Sequence, residues 1–225
     1  MRKISQVAFV AMALALGAGA AGAADLIPYP AAGAYNAVTY TFTAATTGDL
    51  TASIVGGFGA GYTNELGVLV NGVAQGGFGL NNHTSSLGDT YNFGPVTAGD
   101  SLIFVLHNLS RGLDAFSLAS MNLAYDSFAY TGGHNHVYST AYTATPPIGG
   151  VAPGVYVGFE DLAFPGSDFN YNDESFVFGN TKSTGGGVPT ALIRVPGASH
   201  HGLAERPSQS AAKASAILAW FNRFK

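Results

Sequence analysis

Apolar and polar residues alternate along most of this chain with the period of two that marks a half-buried strand. In "AVTYTFTA", Val38, Tyr40 and Phe42 fall on one face and Thr39, Thr41 and Thr43 on the other. "DLTASIV" repeats the scheme with Leu50, Ala52 and Ile54. "ELGVLVNGVAQ" places Asn71-Gly72 between two apolar runs, which predicts a two-residue hairpin. "SLIFVLHNL" is apolar on both faces and is expected at the centre of a sheet. Further strands are expected in "SLASMNLAY", "HNHVYSTAY", "GVYVGFED" and "ESFVF", separated by Gly, Pro and Asn clusters. This spacing predicts an all-β fold, an antiparallel β-sandwich or jelly roll.

The pattern changes after "TKSTGGGVP", which reads as a Gly-rich linker over 182–189. Beyond it come a short strand "TALIRV", a loop "PGASHHG" and a helix "RPSQSAAKASAILAWFNRF". Ile217, Trp220, Phe221 and Phe224 form one apolar stripe on that helix. A unit this small, over 190–225, has too little core to bury the stripe by itself. It is expected to pack on the body, meet a partner, touch a membrane surface through the helix's basic and Trp-Phe faces, or remain partly disordered.

Composition adds a compartment. Arg2 and Lys3, an apolar run from Val7 to Leu16 and the small residues Ala21-Gly22-Ala23 read as an export signal over 1–23, cleaved before Ala24. The apolar run falls short of the roughly 20 residues a spanning helix needs. The 31 glycines and few charges fit short strands and tight turns, and the absence of cysteine excludes disulfides, thiolate metal sites and a cysteine nucleophile. Charge divides the chain again at the linker. Between Ala24 and Thr181 Arg111 stands as the sole basic residue among many carboxylates, whereas from Lys182 onward Glu205 alone is acidic. An acidic body over 24–181 makes nucleic acid an unsuitable partner.

The densest chemistry lies in "GFEDLAFPGSDFNYNDESFVF". Asp168, Asn170 and Asn172 alternate, so an extended strand projects their three oxygens to one side. Glu160, Asp161 and Asp173 are near enough in sequence to add more, and a hard cation such as calcium takes six to eight oxygens. An EF-hand is excluded, because Asp173 occupies the turn position that requires glycine and Gly179 the position of the bidentate Glu. A second reading has the same side chains capping turns and bonding loop backbone.

"VYVGFEDL" followed by "SDFNYNDESFVF" resembles the signature of an exported bacterial domain family of unknown function: a G-F-E-D-L element, then a D-x-D-Y-N-D element before an aromatic strand. The likeness covers about Gly154 to Phe178, and Asn170 stands where that family more usually has Asp. It implies an exported or surface protein with no established enzymatic activity. The signal, the acidic Gly-rich body and "GGGVP" also resemble PEP-CTERM proteins of Gram-negative bacteria, although the Glu-Pro and apolar helix that follow in those proteins are missing after Val188-Pro189.

In their place, "VPTALIRVPGASHHGLAERPSQSAAKASAILAWFNRF" resembles the C-terminal end of prolyl oligopeptidase-family serine peptidases. That resemblance sets His200 or His201 at the position of the family's catalytic base. Such a base needs a serine on a strained elbow and an orienting acid. The chain has no G-x-S-x-G, and Pro165-Gly166-Ser167 lacks the strand-to-helix setting. The two resemblances together imply a fusion joined at Val188-Pro189, with the tail inactive as a peptidase by itself.

Smaller signals are read structurally. His134-Asn135-His136 offers half of a metal site without a third ligand and is assigned to a loop or strand edge. His107 is expected as a satisfied core histidine, and "GGFGAG" and "GGFG" as bulges or turns. The sum is an exported, non-enzymatic surface or matrix protein, with calcium bracing the loop from Glu160 to Glu174 and a role in adhesion or glycan binding. A hydrolase-related function carried by the tail is the alternative.

Overall fold

A computed structural model describes residues 27–126, 133–143, 145 and 147–185. The expected signal peptide, the linker beyond Gly185 and the whole peptidase-like tail, with His200 and His201, lie outside the described residues. Eleven strands alternate with turns among those that are described: β1 (Thr41–Ala44), β2 (Gly48–Gly56), β3 (Asn64–Val70), β4 (Val73–Asn81), β5 (Thr90–Val96), β6 (Ser101–Asn108), β7 (Leu113–Phe116), β8 (Val137–Tyr142), β9 (Gly154–Phe159), β10 (Glu174–Gly179) and β11 (Thr181–Thr184). One sheet runs β11-β1-β6-β3-β4, with β7 also paired to β6, and the other runs β5-β2-β10-β9-β8. Every pairing is antiparallel. The chain is therefore a β-sandwich, as its alternation predicts.

The core lies between the sheets and is built from the inward sets of the strands. Tyr40, Phe42 and Ala44, Leu50, Ala52 and Ile54, and Leu102, Phe104 and Leu106 meet Val157, Phe159, Phe176 and Phe178. Phe104 of one sheet stacks on Phe178 of the other, ring centroids 3.6 Å apart, and both are fully buried. Each such ring removes roughly 150–250 Å² from water, which at about 25 cal/mol per Å² stabilises the fold by several kcal/mol. β6 sits third in its five-strand path, the central position its two-sided apolar pattern requires. Its outward Val105 packs with Leu69 and Phe116.

The outer face of the second sheet is also covered. Tyr29, Val55, Tyr138, Tyr142, Val151, Tyr156, Tyr171 and Val177 form a separate buried cluster there. Tyr171 belongs to the loop between β9 and β10, so the acidic loop lies across that face. It can do so because Gly158 has no side chain: a Cβ there would overlap the Tyr171 carbonyl oxygen.

Three expectations are corrected. "SLASMNLAY" forms no strand; it enters a 3-10 turn at Ala119–Met121. Asn122 makes that turn pay, with Oδ1 accepting from Phe116 N at 2.7 Å and Nδ2 donating to Phe116 O at 2.9 Å, so a side chain supplies the bonds that a neighbouring strand would have made. Lys182, Ser183 and Thr184, expected in the linker, instead pair with Thr43, Phe42 and Thr41, because a hydroxyl-rich polar segment suits an exposed sheet edge. "AVTYTFTA" becomes strand only from Thr41, although Tyr40 is buried and Val38 packs against the core as the alternation requires. The Asn71-Gly72 hairpin forms with both residues at positive φ, 50° and 82°.

Candidate metal centre

β9 and β10 are adjacent strands, with Phe159 opposite Glu174, and the loop between them leaves and re-enters the sheet at one point. Glu160 and Asp161 therefore follow the end of β9 just where Asp173 and Glu174 begin β10. The ends are pinned by backbone bonds from Glu160 N to His136 O at 2.9 Å and from Asp173 N to Phe159 O at 3.1 Å. Gly57, in the loop after β2, closes the other side: it has φ 96°, and a Cβ there would come within 2.6 Å of Glu174 Cα. Only a glycine allows that approach.

Glu160, Asp161 and Asp173 each bring a carboxylate oxygen to within 4.8 Å of the others. Glu160 and Asp161 are buried, with 1% and 3% of their surface exposed, and Asp173 is half-buried. Their present hydrogen bonds do not use all their oxygens. Asp161 Oδ2 accepts from Asn64 Nδ2 at 2.8 Å, Asp173 Oδ2 from Asp161 N at 2.8 Å, and Glu160 Oε1 from Leu162 N at 3.2 Å. Glu160 Oε2 is buried without a partner.

Like charges in a dry site favour protons. Burial, followed by the charges of Asp161 and Glu160, pushes Asp173 up to about 9. Burial also raises Glu160 and Asp161, with Asp168 adding to both. Glu174 rises well above the usual carboxylate range, first through burial and then through Asp161, Glu65 and Asp173. A multivalent cation would reverse this preference by giving each carboxylate a reason to ionise. Oxygen ligands of this kind suit a hard cation such as calcium.

The other predicted ligands do something different. Phe169 and Tyr171 have positive φ, 54° and 55°, so residues 168–172 do not form an extended strand and their alternate side chains do not project together. Asn170 N donates to Asp168 Oδ1 at 3.2 Å and Asn172 N to Asn170 Oδ1 at 3.1 Å, while Asn170 Nδ2 donates to Asp168 Oδ2 at 2.8 Å. Asp168, Asn170 and Asn172 thus follow the turn reading, as successive Asx turns. The six predicted residues divide into three that converge and three that shape the loop.

A residue that the sequence pattern did not mark holds the rest of the loop. Asp126 is fully buried and receives His136 Nε2 at 2.7 Å, His134 N at 2.7 Å and Phe164 N at 3.0 Å. His136 Nδ1 reaches Glu160 O at 2.9 Å, which leads from this cluster to the acidic site. The bonds from His136 and from those backbone amides hold Asp126 down at about 2 against the opposing effect of burial. His134-Asn135-His136 precedes β8 and is a loop brace, and no separate metal group forms there among the described residues.

The other described histidines, His83 and His107, are also structural. His107 stacks on Phe78 at 4.7 Å and bonds Asp114 at 2.6 Å; His83 contacts Thr63 Oγ1 at 3.1 Å and Ala60 O at 3.0 Å. Comparison with protein-family models, curated proteins and solved structures finds no match to this chain.

Proposed function

We propose that this chain is an exported, non-enzymatic surface or matrix protein whose β-sandwich binds calcium at Glu160, Asp161 and Asp173. One observation carries the reading: three carboxylates converge within 4.8 Å at the junction of β9 and β10, and one of them, Glu160, keeps a buried oxygen without a hydrogen-bond partner. The ion braces the loop by joining the residues where it leaves the sheet to those where it returns.

A glycan or cell-surface component is the proposed partner, and adhesion the proposed role. Tyr35, with 38% of its surface exposed, meets His134 and Phe169 edge-on at 5.7 and 5.9 Å, beside the loop that carries the exposed Asp168. Aromatic faces next to polar oxygens suit sugar rings, which present apolar C–H faces and hydroxyl edges. The test is the melting temperature of the mature chain in calcium, in magnesium and in chelator. Calcium is expected to raise it in a concentration-dependent manner; an unchanged melting temperature at millimolar calcium would refute the reading.

A further inference from the structure

One edge of β6 is shared by two strands. β1 pairs with it at Ser101 and Leu102, and β7 from Val105 to Asn108. At Thr41, β1 has left β6 and keeps only its pairing with β11, while β7 ends at Phe116. Between them Ser117 completes the ladder, its Oγ accepting from Phe104 N and its N donating to Phe104 O, both at 2.9 Å. The two strands thus part over Ile103, and a groove of about 110 Å³ opens on the outer face of the first sheet. Ile103 and Leu118 give it apolar walls, and Thr41, Thr43, Ser101 and Ser117 give it hydroxyls. It adjoins the outer cluster of Leu69, Val105 and Phe116, against which Ile103 packs. A dry apolar cavity of about 150 Å³ takes a benzene molecule. A somewhat smaller groove that opens to solvent suits one aromatic side chain and is too small for an extended peptide.

The chain itself leads to this groove. Thr184 pairs with Thr41, and Gly185, the last described residue, lies against Thr39 and Tyr40, where a Cβ would overlap the Thr39 carbonyl oxygen. Tyr40 and Thr41 both line the groove, so residues 186–225 start from its mouth. They include Trp220, the single tryptophan of the sequence. The helical pattern of the tail's sequence sets Lys213 on the same stripe as Ile217, Trp220 and Phe224, at i, i+4, i+7 and i+11. A short flexible tether holds such a segment at an effective concentration of about millimolar, so even a weak contact is populated within one chain.

Charge matches along the same face. Further along β6 from Ile103, His107 stands between Glu65 of β3 and Asp114 of β7, two carboxylates to one imidazole. Glu65 is half-buried and keeps part of its surface open. From Ile103 to His107 the strand rises about 13 Å, and from Lys213 to Trp220 a helix rises about 10 Å, a difference that a lysine side chain spans. An aromatic residue in the groove therefore brings the lysine of its own stripe to the acidic end of the face. The tail, whose sole acid is Glu205, carries the opposite charge to the body it follows.

We infer that the tail docks on its own sandwich, with Trp220 in the groove over Ile103 and Lys213 beside Glu65. The test is the fluorescence of the mature full-length chain, in which Trp220 is the only tryptophan. Its emission is expected to be blue-shifted, with acrylamide quenching severalfold weaker than in denaturant, and neither is expected to change on dilution. Leu118→Ser and Ile103→Thr, each checked for a retained melting transition, should shift the emission to the red and restore quenching. Lys213→Glu leaves the sandwich untouched and should also raise quenching, which decides the matter even if the groove variants do not fold. Red, fully quenched emission in the natural chain overturns the proposal, as does unchanged quenching in Lys213→Glu. Blue emission that survives in a folded groove variant places Trp220 elsewhere, and blue emission lost on dilution assigns it to a second copy. Blue emission that appears only with phosphatidylserine vesicles assigns it to a membrane surface, and each of these three results overturns the proposal.

Discussion

Replacing Asp173 by Asn keeps an oxygen able to accept from the Asp161 amide, now 2.8 Å from Oδ2, and deletes one negative charge. At 4.8 Å, the outer limit of the group's separation, two ionised carboxylates repel by about 3.5 kcal/mol at an effective dielectric of about 20. The fold evades this repulsion by keeping a proton on Asp173, whose carboxyl is pushed up to about 9 by burial and its two neighbours. Holding a proton at pH 7 on a group that ordinarily releases it near 3.8 costs about 4 kcal/mol, a figure of the same size. The sign follows from the raised value: calcium-free stability falls as pH climbs from the ordinary carboxylate range toward 9, and the Asn variant lacks this part of the decline. In chelator at pH 7, Asp173→Asn should therefore be more stable than the natural chain by about 3 kcal/mol, on the order of 10 °C in melting temperature. Calcium at a hundredfold excess over its dissociation constant should stabilise the natural chain by about 2.7 kcal/mol and the variant by much less, so the gap narrows. Differential scanning fluorimetry across a calcium and pH grid reads both effects. A variant no more stable than the natural chain in chelator, or one that gains equally from calcium, would refute the reasoning.

Other perturbations separate the scaffold from the site. Gly158→Ala forces the Tyr171 backbone outward and should cost about 1–3 kcal/mol while weakening calcium binding, read by denaturant titration in calcium and in chelator. Phe104→Ala opens a cavity beneath Phe178 and should cost about 3–5 kcal/mol, with the calcium increment in melting temperature unchanged because the ring is remote in role from the loop. His107 is raised above its ordinary 6.5 by its bond to Asp114, so the pair's stabilisation is complete below that value and lost as pH rises through the higher folded one. His107→Gln should therefore destabilise more at about pH 6 than at about pH 9, measured by urea denaturation; an equal loss at both would show that packing on Phe78 dominates.

The strands that are readable from sequence are those whose burial is one-sided or complete. Phe42 and Ile54 alternate with hydroxyl residues, and Asn71-Gly72 takes the positive φ values its hairpin needs. β5 escapes that reading because Gly94 and Pro95 interrupt it; as an edge strand it can carry both, since one side of its ladder needs no donors. "SLASMNLAY" misleads in the opposite direction, because local alternation says nothing about the long-range bond by which Ser117 Oγ takes the Phe104 amide at 2.9 Å. In the acidic loop, residue type is legible and geometry is not. Asp168 and Asp173 look equivalent in sequence, yet two positive-φ residues turn the first outward while the ladder between β9 and β10 fixes the second beside Asp161. The inward register of Glu174, in phase with Phe176 and Phe178, is the one sequence signal that a carboxylate is aimed into the core.

The placement of these acids bears on how a chain without cysteine holds its two sheets together. Asp161 and Glu174 belong to the second sheet's β9–β10 junction, whereas Asn64 opens β3 of the first. At this end of the sandwich Asn64 of the first sheet bonds Asp161, and Tyr125 OH, from the segment between β7 and β8, donates to Asp161 O at 2.5 Å. Hydrophobic burial elsewhere in the core is non-directional and cannot fix the registration of that polar end. A calcium ion on Glu160, Asp161 and Asp173 would fix Asp161, to which Asn64 of the first sheet is bonded, and would act where a disulfide acts in many small secreted domains. Calcium modules of extracellular type bind at roughly 0.1–1 mM. On the proposed reading, this end of the sandwich would keep a costly proton on Asp173 and be loosely held at low calcium, and would tighten where calcium is abundant. Limited proteolysis should then cut the loop from Glu160 to Asp173 faster in chelator than in calcium, while sites in β2 and β6 stay protected in both; equal protection of the loop in both conditions would rule out the brace.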